Sequence, residues 1–523
     1  MAPLAVHVKH AGKTLDVNLD PSLPPAVFKD AVYQVTGVPP ERMKVMIKGG
    51  VLKDDTDWKK VAPKEGQTFM VIGAAGELPK PPEKPIIFLE DMNDSEIAEA
   101  LSLPVGLKNL GNTCYMNATV QAMRAIPELQ TALSKSPHLD VLPRAMRDLY
   151  NNMSRTTEGY IPTAFLTVLR QTVPQFGEVD RSGKNGMLAG YAQQDAEECW
   201  TQLANALKDV HGIDAAGNSS TGARRFVDQF MMAEMRRELK CDEAPEEPST
   251  VTIEKVLKVE CNISTTTNYM HAGIKDALNS QLEKNSPSLG RQAVYSQTSR
   301  LSRLPSYLTV HMVRFAWRRD IGKKAKIMRK VKFAAEFDAL EVVTDELKAK
   351  LTPVSSKLKS IEKERSERRK VRKRTKVAQE AASSSRPAVE NADVEMVPAI
   401  EVPGDLEDES VYRARELQEL EGLVDADVKS DYGCSVTGLY DLVAIVTHKG
   451  ADADAGHYMG FVKKSVFHAK SGDGPAFDED DEDWYKFDDD KVSLFPKEKL
   501  GTIDGGGEDS SAYVLLYRSK PLA

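Results

Sequence analysis

Apolar and polar residues alternate from Leu4 to Lys9 and again from Lys13 to Leu19, with His10, Ala11 and Gly12 between the two runs. A period of two puts one face of an extended chain against a core, and a short glycine-containing gap predicts a β-hairpin. Val27, Phe28, Ala31, Val32 and Val35 then recur at helical spacing, and Gly37 supplies a C-terminal stop. Lys44 to Lys48 and Thr68 to Ile72 read as further strands, so residues 1–73 predict a compact β-β-α-β-β unit. The proline-rich stretch from Leu78 to Pro85 predicts an extended linker over 74–103, with a short helix from Asp91 to Leu103.

Residues 104–350 and 431–523 read together as one large mixed domain. Helical periodicity leads early, as around Gln193–Leu207. Strand patterns follow at Thr250–Val259, Tyr307–Phe315, Tyr440–Val446, Tyr458–Val462 and Ala512–Tyr517. Between the two stretches, residues 352–430 are rich in Lys, Arg and Glu, then in Ala, Ser and Pro, with very few aromatics. That composition predicts a disordered charged insertion with some helix. Its basic run from Arg368 to Lys376 fits a solvated charged surface better than a nuclear import signal.

Composition narrows the class. A chain of 523 residues can bury several domains' worth of core, and a formal net charge of −8 indicates no preference for nucleic acid or membrane. There is no apolar stretch of membrane-spanning length, and the first residues lack a signal-peptide layout. Cys114, Cys199, Cys241, Cys261 and Cys434 are few, odd in number and widely spread, which suits a reducing compartment. No Cys-x-x-Cys pair occurs, so Cys241, Cys261 and His271 are not expected to hold zinc, and no metal or cofactor is expected.

One cysteine has a distinctive address. Asn109, Gly111, Asn112 and Thr113 crowd before Cys114, and a helix-like run follows it. A thiol at a helix N-terminus meets unpaired backbone N–H groups and a dipole that favour the thiolate. A buried structural cysteine would have no need of that polar, glycine-bent approach. A nucleophile requires a histidine and an acid from elsewhere in the chain. His448 and His457 flank a glycine-rich loop; His457, between Gly456 and Tyr458, is better placed to face a cleft, and His448 could be structural. One of Asp488, Asp489 and Asp490, after the aromatic run Trp484–Phe487, could orient the ring, although three aspartates also suit a solvated turn.

Residues 1–73 resemble ubiquitin, but where ubiquitin ends in Gly-Gly this chain reads Gly73-Ala74-Ala75-Gly76 and continues. That implies an integral ubiquitin-like domain used for docking. Alignment with ubiquitin's apolar recognition face points to Met46, Phe69 and Val71, which could instead pack internally. The stretch from Asn109 to Asn117 resembles the cysteine box of ubiquitin-specific proteases, and Gly456-His457-Tyr458 with Trp484–Asp488 resembles their histidine box. Tyr191–Glu198, Leu304–Phe315 and Ala512–Tyr517 match further signatures in the expected order. The combination is similar to the proteasome-associated members of that family.

The resemblance implies an α+β chain: a ubiquitin-like β-grasp domain, then a papain-like cysteine protease domain over 104–519 with thumb, palm and fingers. It makes Cys114 the nucleophile, His457 its base, Asp488 the orienting acid and Asn109 an oxyanion donor. It makes Gln193, Asp195, Tyr458 and Tyr513 candidates for holding the ubiquitin tail, with ordinary packing the alternative for the two tyrosines. The implied partners are ubiquitin, ubiquitinated proteins and the base of the 26S proteasome regulatory particle, in cytoplasm and nucleus. The loop Gly450–Gly456 is small and acidic, and the resemblance implies that such loops cover the tail channel and leave the isolated enzyme weakly active. A non-catalytic proteasome regulator and a hydrolase for another ubiquitin-like modifier are the competing expectations.

Overall fold

The computed structural model describes residues 3–48, 50–54, 56–73, 104–180, 190–319, 322–384, 406–452, 455–468 and 481–522. The chain divides into two compact units, Met1–Asp91 and Met92–Ala523.

In the first unit, Leu4–His10 pairs antiparallel with Lys13–Leu19 and parallel with Thr68–Ile72. Lys44–Ile47 and Gly50–Val51 complete a five-stranded sheet. Alternation does what it predicts: Val6, Val8, Val17 and Leu19 are buried on one face. The helix Pro25–Thr36 ends at Gly37, whose φ of 69° lets its N–H reach the Tyr33 carbonyl. Its buried side is set by Phe28 and Val32, while Val27 and Val35 of the expected stripe are exposed. Phe28 meets Trp58 and Phe69 edge-on, at 5.8 and 5.5 Å between ring centres. This is a β-grasp core.

The register corrects the expected docking face. Phe69 and Val71 are buried, at 0% and 4% exposure, because they point at the helix. Their neighbours Met70 and Ile72 face outward, at 53% and 51%. Met46 pairs with both Met70 and Val51 across the sheet, so these residues form one exposed apolar row. Met46 is the one expected contact residue that stays on the surface. One strand position separates a core residue from a surface residue.

In the second unit the central sheet runs Lys258–Asn262, Tyr307–Val313, Ser511–Ser519, Leu439–Asp452, Ala455–Lys463, Trp484–Asp488 and Lys491–Phe495. Leu442–Val446 is buried without a break because apolar clusters cover both faces. The helices Cys114–Met123, Val141–Met153, Thr163–Thr172 and Ala196–Ala206 contribute to one of these clusters. A second, four-stranded sheet runs Asn279–Asn285, Gln292–Arg303, Ala233–Cys241 and Thr250–Val256. The expected single strand Thr250–Val259 is therefore two strands in two sheets, parted at Leu257. Among the described residues no helix is long and apolar enough to cross a membrane.

The segment expected to be a disordered charged insertion is ordered at both ends. A 40-residue helix, Asp345–Ser384, packs against Glu409–Leu423; residues 385–405 lie outside the described residues. Val354, Leu358 and Ile361 recur at helical spacing and bury against Leu420 and the sheet residue Leu439. Arg365, Arg368 and Glu416 form ion pairs at the same seam, with side-chain exposures of 8, 11 and 10%. Arg368 and Arg372 also meet Glu409, so part of the basic run is neutralised internally. Composition hid a narrow apolar stripe that a few well-spaced residues suffice to make.

Candidate active site

Cys114 is the first residue of the helix Cys114–Met123, and its cap Thr113 makes no side-chain cap bond. The approach is bent by two left-handed residues, Gly111 at φ 94° and Asn112 at φ 53°. The Asn109 side-chain carbonyl holds the bend, accepting from Gly111 N at 2.9 Å and Thr113 N at 3.3 Å. Its amide donates to Asp489 Oδ2 at 2.9 Å. The polar run before the cysteine is thus a self-bonded loop that delivers the thiol to a helix N-terminus.

His457 lies on Ala455–Lys463, a strand that approaches the catalytic helix closely: a side chain at Gly460 would sit 3.2 Å from the Ala118 carbonyl. His457 Nε2 is 2.6 Å from Asp488 Oδ1. The Cys114 side chain is the largest influence on the imidazole; burial opposes it and Asp488 adds to it, so the pKa rises to about 9. Burial would lift the Asp488 carboxyl, but the bond and charge of His457, with Lys486 nearby, carry it below the usual carboxylate range. At neutral pH the histidine is a cation between a sulfur and a carboxylate, the arrangement that an attacking thiolate requires.

The second aspartate, one of the three candidate acids, holds the cysteine loop and not the ring. Asp489 turns through a left-handed backbone, φ 54°, and its two carboxylate oxygens accept from Asn109 Nδ2 and Asn117 Nδ2, each at 2.9 Å. Its carbonyl accepts from Leu107 N at 3.0 Å. Gly106 must be glycine here, since a Cβ would lie 2.6 Å from the Asp489 carbonyl. Asp489 ties the cysteine loop to the acid strand. His457, Asp488 and Asp489 bring ligand-type atoms within 4.8 Å of one another, but these atoms already serve the hydrogen bonds just described.

His448 takes no part. It is fully buried between Phe315 and Tyr458, and burial lowers its pKa to about 4, so it stays neutral. Gly456 packs against its ring, where a Cβ would meet Nε2 at 2.4 Å. The stretch Gly450–Gly456 is largely strand: Leu439–Asp452 and Ala455–Lys463 pair through Asp452 and Ala455. Residues 453 and 454 lie outside the described residues. Of the other cysteines, Cys199, Cys241 and Cys261 are buried. Burial pushes the Cys199, Cys261 and Cys434 thiols up, the last two to about 12 and about 11.

The four expected tail residues divide. Gln193 precedes the helix Ala196–Ala206, which starts three residues later than the periodicity suggested. Its Nε2 is 3.3 Å from Cys114 Sγ and 3.3 Å from the Gly456 carbonyl. Asp195 caps that helix, accepting from Glu197 N at 2.7 Å, and its other oxygen accepts from Tyr513 OH at 2.7 Å. Burial raises the Asp195 pKa. Tyr458 and Tyr513 are 1% and 4% exposed and pack 6.1 Å apart, so in this state they are packing residues and present no open channel wall.

A helix-borne cysteine, a histidine on the neighbouring strand and an aspartate on the next define a papain-like cysteine protease. Comparison with known proteins narrows the class. The ubiquitin carboxyl-terminal hydrolase family matches residues 105–517, and the ubiquitin family matches residues 6–75. The chain belongs to the ubiquitin carboxyl-terminal hydrolase family. It is 40% identical to ubiquitin carboxyl-terminal hydrolase 6 of Schizosaccharomyces pombe, with all of both chains covered. It is 38% identical to an Arabidopsis thaliana protein of the same name, over 98% of each chain. It is 29% identical to ubiquitin carboxyl-terminal hydrolase 14 of Caenorhabditis elegans, over 98% of this chain and 93% of the relative.

The protein is a cysteine-dependent deubiquitinase. In this geometry Cys114 sulfur is placed to attack a carbonyl, with His457 placed to give its proton to the departing amine and leave a thioester. A water deprotonated by the same ring would then release the acyl group and restore the thiolate beside the protonated imidazole. Asp488 holds the ring in the orientation that both steps use.

Proposed function

We propose that this deubiquitinase trims ubiquitin from substrates bound to the proteasome and returns it for reuse. Its ubiquitin-like domain docks on the base of the regulatory particle, in cytoplasm and nucleus. The observation that carries this reading is the exposed row of Met46, Met70, Ile72 and Val51 on a β-grasp domain joined to a protease domain with a complete triad. A contiguous apolar surface rimmed by polar residues is a docking surface rather than a folding requirement. The buried Tyr458 and Tyr513 support a free state that is weakly active until a partner binds.

The test is co-purification of 26S proteasomes with the full chain and with a Met46→Asp/Met70→Asp variant. The parent should bind, the variant should lose at least about tenfold in affinity for two exposed apolar side chains that docking would cover, and proteasomes should speed labelling of Cys114 by a ubiquitin-based electrophile. A parent that does not bind proteasomes would end this reading. If Cys114→Ala keeps its full effect on substrate degradation, a non-catalytic regulator is the better description.

A further inference from the structure

Gln193 stands between the two halves of the site. One side-chain nitrogen lies 3.3 Å from the nucleophilic sulfur and 3.3 Å from the carbonyl of Gly456, the residue before His457. Its backbone is anchored two residues later, where Asp195 caps the helix and binds the Tyr513 hydroxyl. Asn109, by contrast, has its carbonyl spent on the loop and one amide hydrogen spent on Asp489. Only its second amide hydrogen is left for chemistry.

We infer that Gln193 is a catalytic residue, the side-chain amide that donates to Cys114 sulfur in the free enzyme and to the oxyanion during attack. This rests on the deubiquitinase chemistry above. As the Sγ–C bond forms, the carbonyl π pair moves to oxygen, and that oxygen is two bonds from the sulfur Gln193 already touches. The sulfur gives up its charge and becomes a poor acceptor, while the oxygen becomes a strong one. The hydrogen bond passes from sulfur to oxygen without a new partner having to arrive. When the pair returns, the C–N bond breaks, the leaving nitrogen keeps its electrons and takes the His457 proton, and the amide falls back to the thioester sulfur. An interaction that strengthens as charge develops raises kcat, whereas one equal in both states lowers only KM. The Gly456 carbonyl keeps the amide between the cysteine helix and the histidine strand, so the donor moves with both.

The test compares the full chain with Gln193→Ala and with the near-isosteric Gln193→Glu, which keeps the shape and removes the donor. Hydrolysis of ubiquitin bearing a C-terminal fluorogenic amide gives kcat and KM. Alkylation of Cys114 by iodoacetamide reports on the thiolate alone, because that displacement builds no oxyanion. Both variants should lose about 10²-fold in kcat, hold KM within about threefold, and alkylate within about threefold of the parent. A kcat held within about threefold overturns the inference and leaves Gln193 a tail-binding residue at most. Alkylation that falls in step with hydrolysis also overturns it, since Gln193 then only positions the thiol. If the unchanged chain does not hydrolyse the ubiquitin amide at all, the deubiquitinase reading fails instead. Melting temperature and ubiquitin affinity of Gln193→Glu exclude a folding defect.

Discussion

Protons and one turn decide the reaction at the scale of single residues. His457 titrates near 9 in the folded protein, so the proton needed by the leaving amine is present through neutral pH and lost above it. The alkaline limb of kcat/KM should therefore fall near pH 9. In Asp488→Asn that limb should move to lower pH, with a large loss in kcat, because a carboxylate partner of the ring is gone. The stability consequence has the same sign. A histidine whose folded pKa exceeds its ordinary 6.5 contributes stability that is complete below about 6.5 and is lost as pH rises through about 9. Melting temperature should fall over that window in the parent and less in His457→Ala. Asp489 acts through position. Asp489→Ala releases Asn109 and the buried Asn117 together, and a nucleophile loop displaced by about 1 Å can cost about 10²-fold. Single-turnover rates should drop by that order while ubiquitin binding is kept; an unchanged rate would show that the clamp is dispensable.

Short-range signals single out Cys114 by its bent polar approach and favour His457 by the glycine before its strand. The choice of Asp488 among three aspartates came only with the family resemblance. Asp489 was not legible, because nothing in three successive aspartates says which turns back to the cysteine loop 380 residues away. That partner exists only once the strand and the loop are brought together.

Phase and seam matter at the scale of elements. Thr68–Ile72 is apolar at both alternating sets, so its pattern could not tell core from surface; the helix over the sheet chose Phe69 and Val71. Phe69→Ala should accordingly destabilise the ubiquitin-like unit by about 3–5 kcal/mol, as expected for a buried ring, whereas Met70→Ala should leave its melting temperature nearly unchanged. The helical pair Asp345–Ser384 and Glu409–Leu423 makes the opposite point, since its charge content concealed a real seam. Glu416→Ala strands Arg365, whose side chain is only 8% exposed, and leaves Arg368 with Glu409 alone, so it should cost about 3–5 kcal/mol locally. Hydrogen exchange should accelerate along residues 354–372 while hydrolysis of a small ubiquitin amide persists. Protection unchanged along that seam would mean the ion pairs add nothing.

For the whole molecule, the sequence by itself determined the two units, their fold classes and, through the family motifs it carries, the candidates for nucleophile, base and acid. Each of those is written in residues close together in the chain, where hydrophobic period, turn chemistry and helix-end electrostatics act directly. Tertiary structure alone decided the rest. It chose which apolar residues became surface, and it paired Asp489 with the cysteine loop and Gln193 with the sulfur. It also buried Tyr458 and Tyr513, and it folded a charged insertion onto the sheet. The physical reason is common to all of these. They are contacts between segments far apart in sequence, and their energy comes from burial and hydrogen bonding that exist only after the chain has closed.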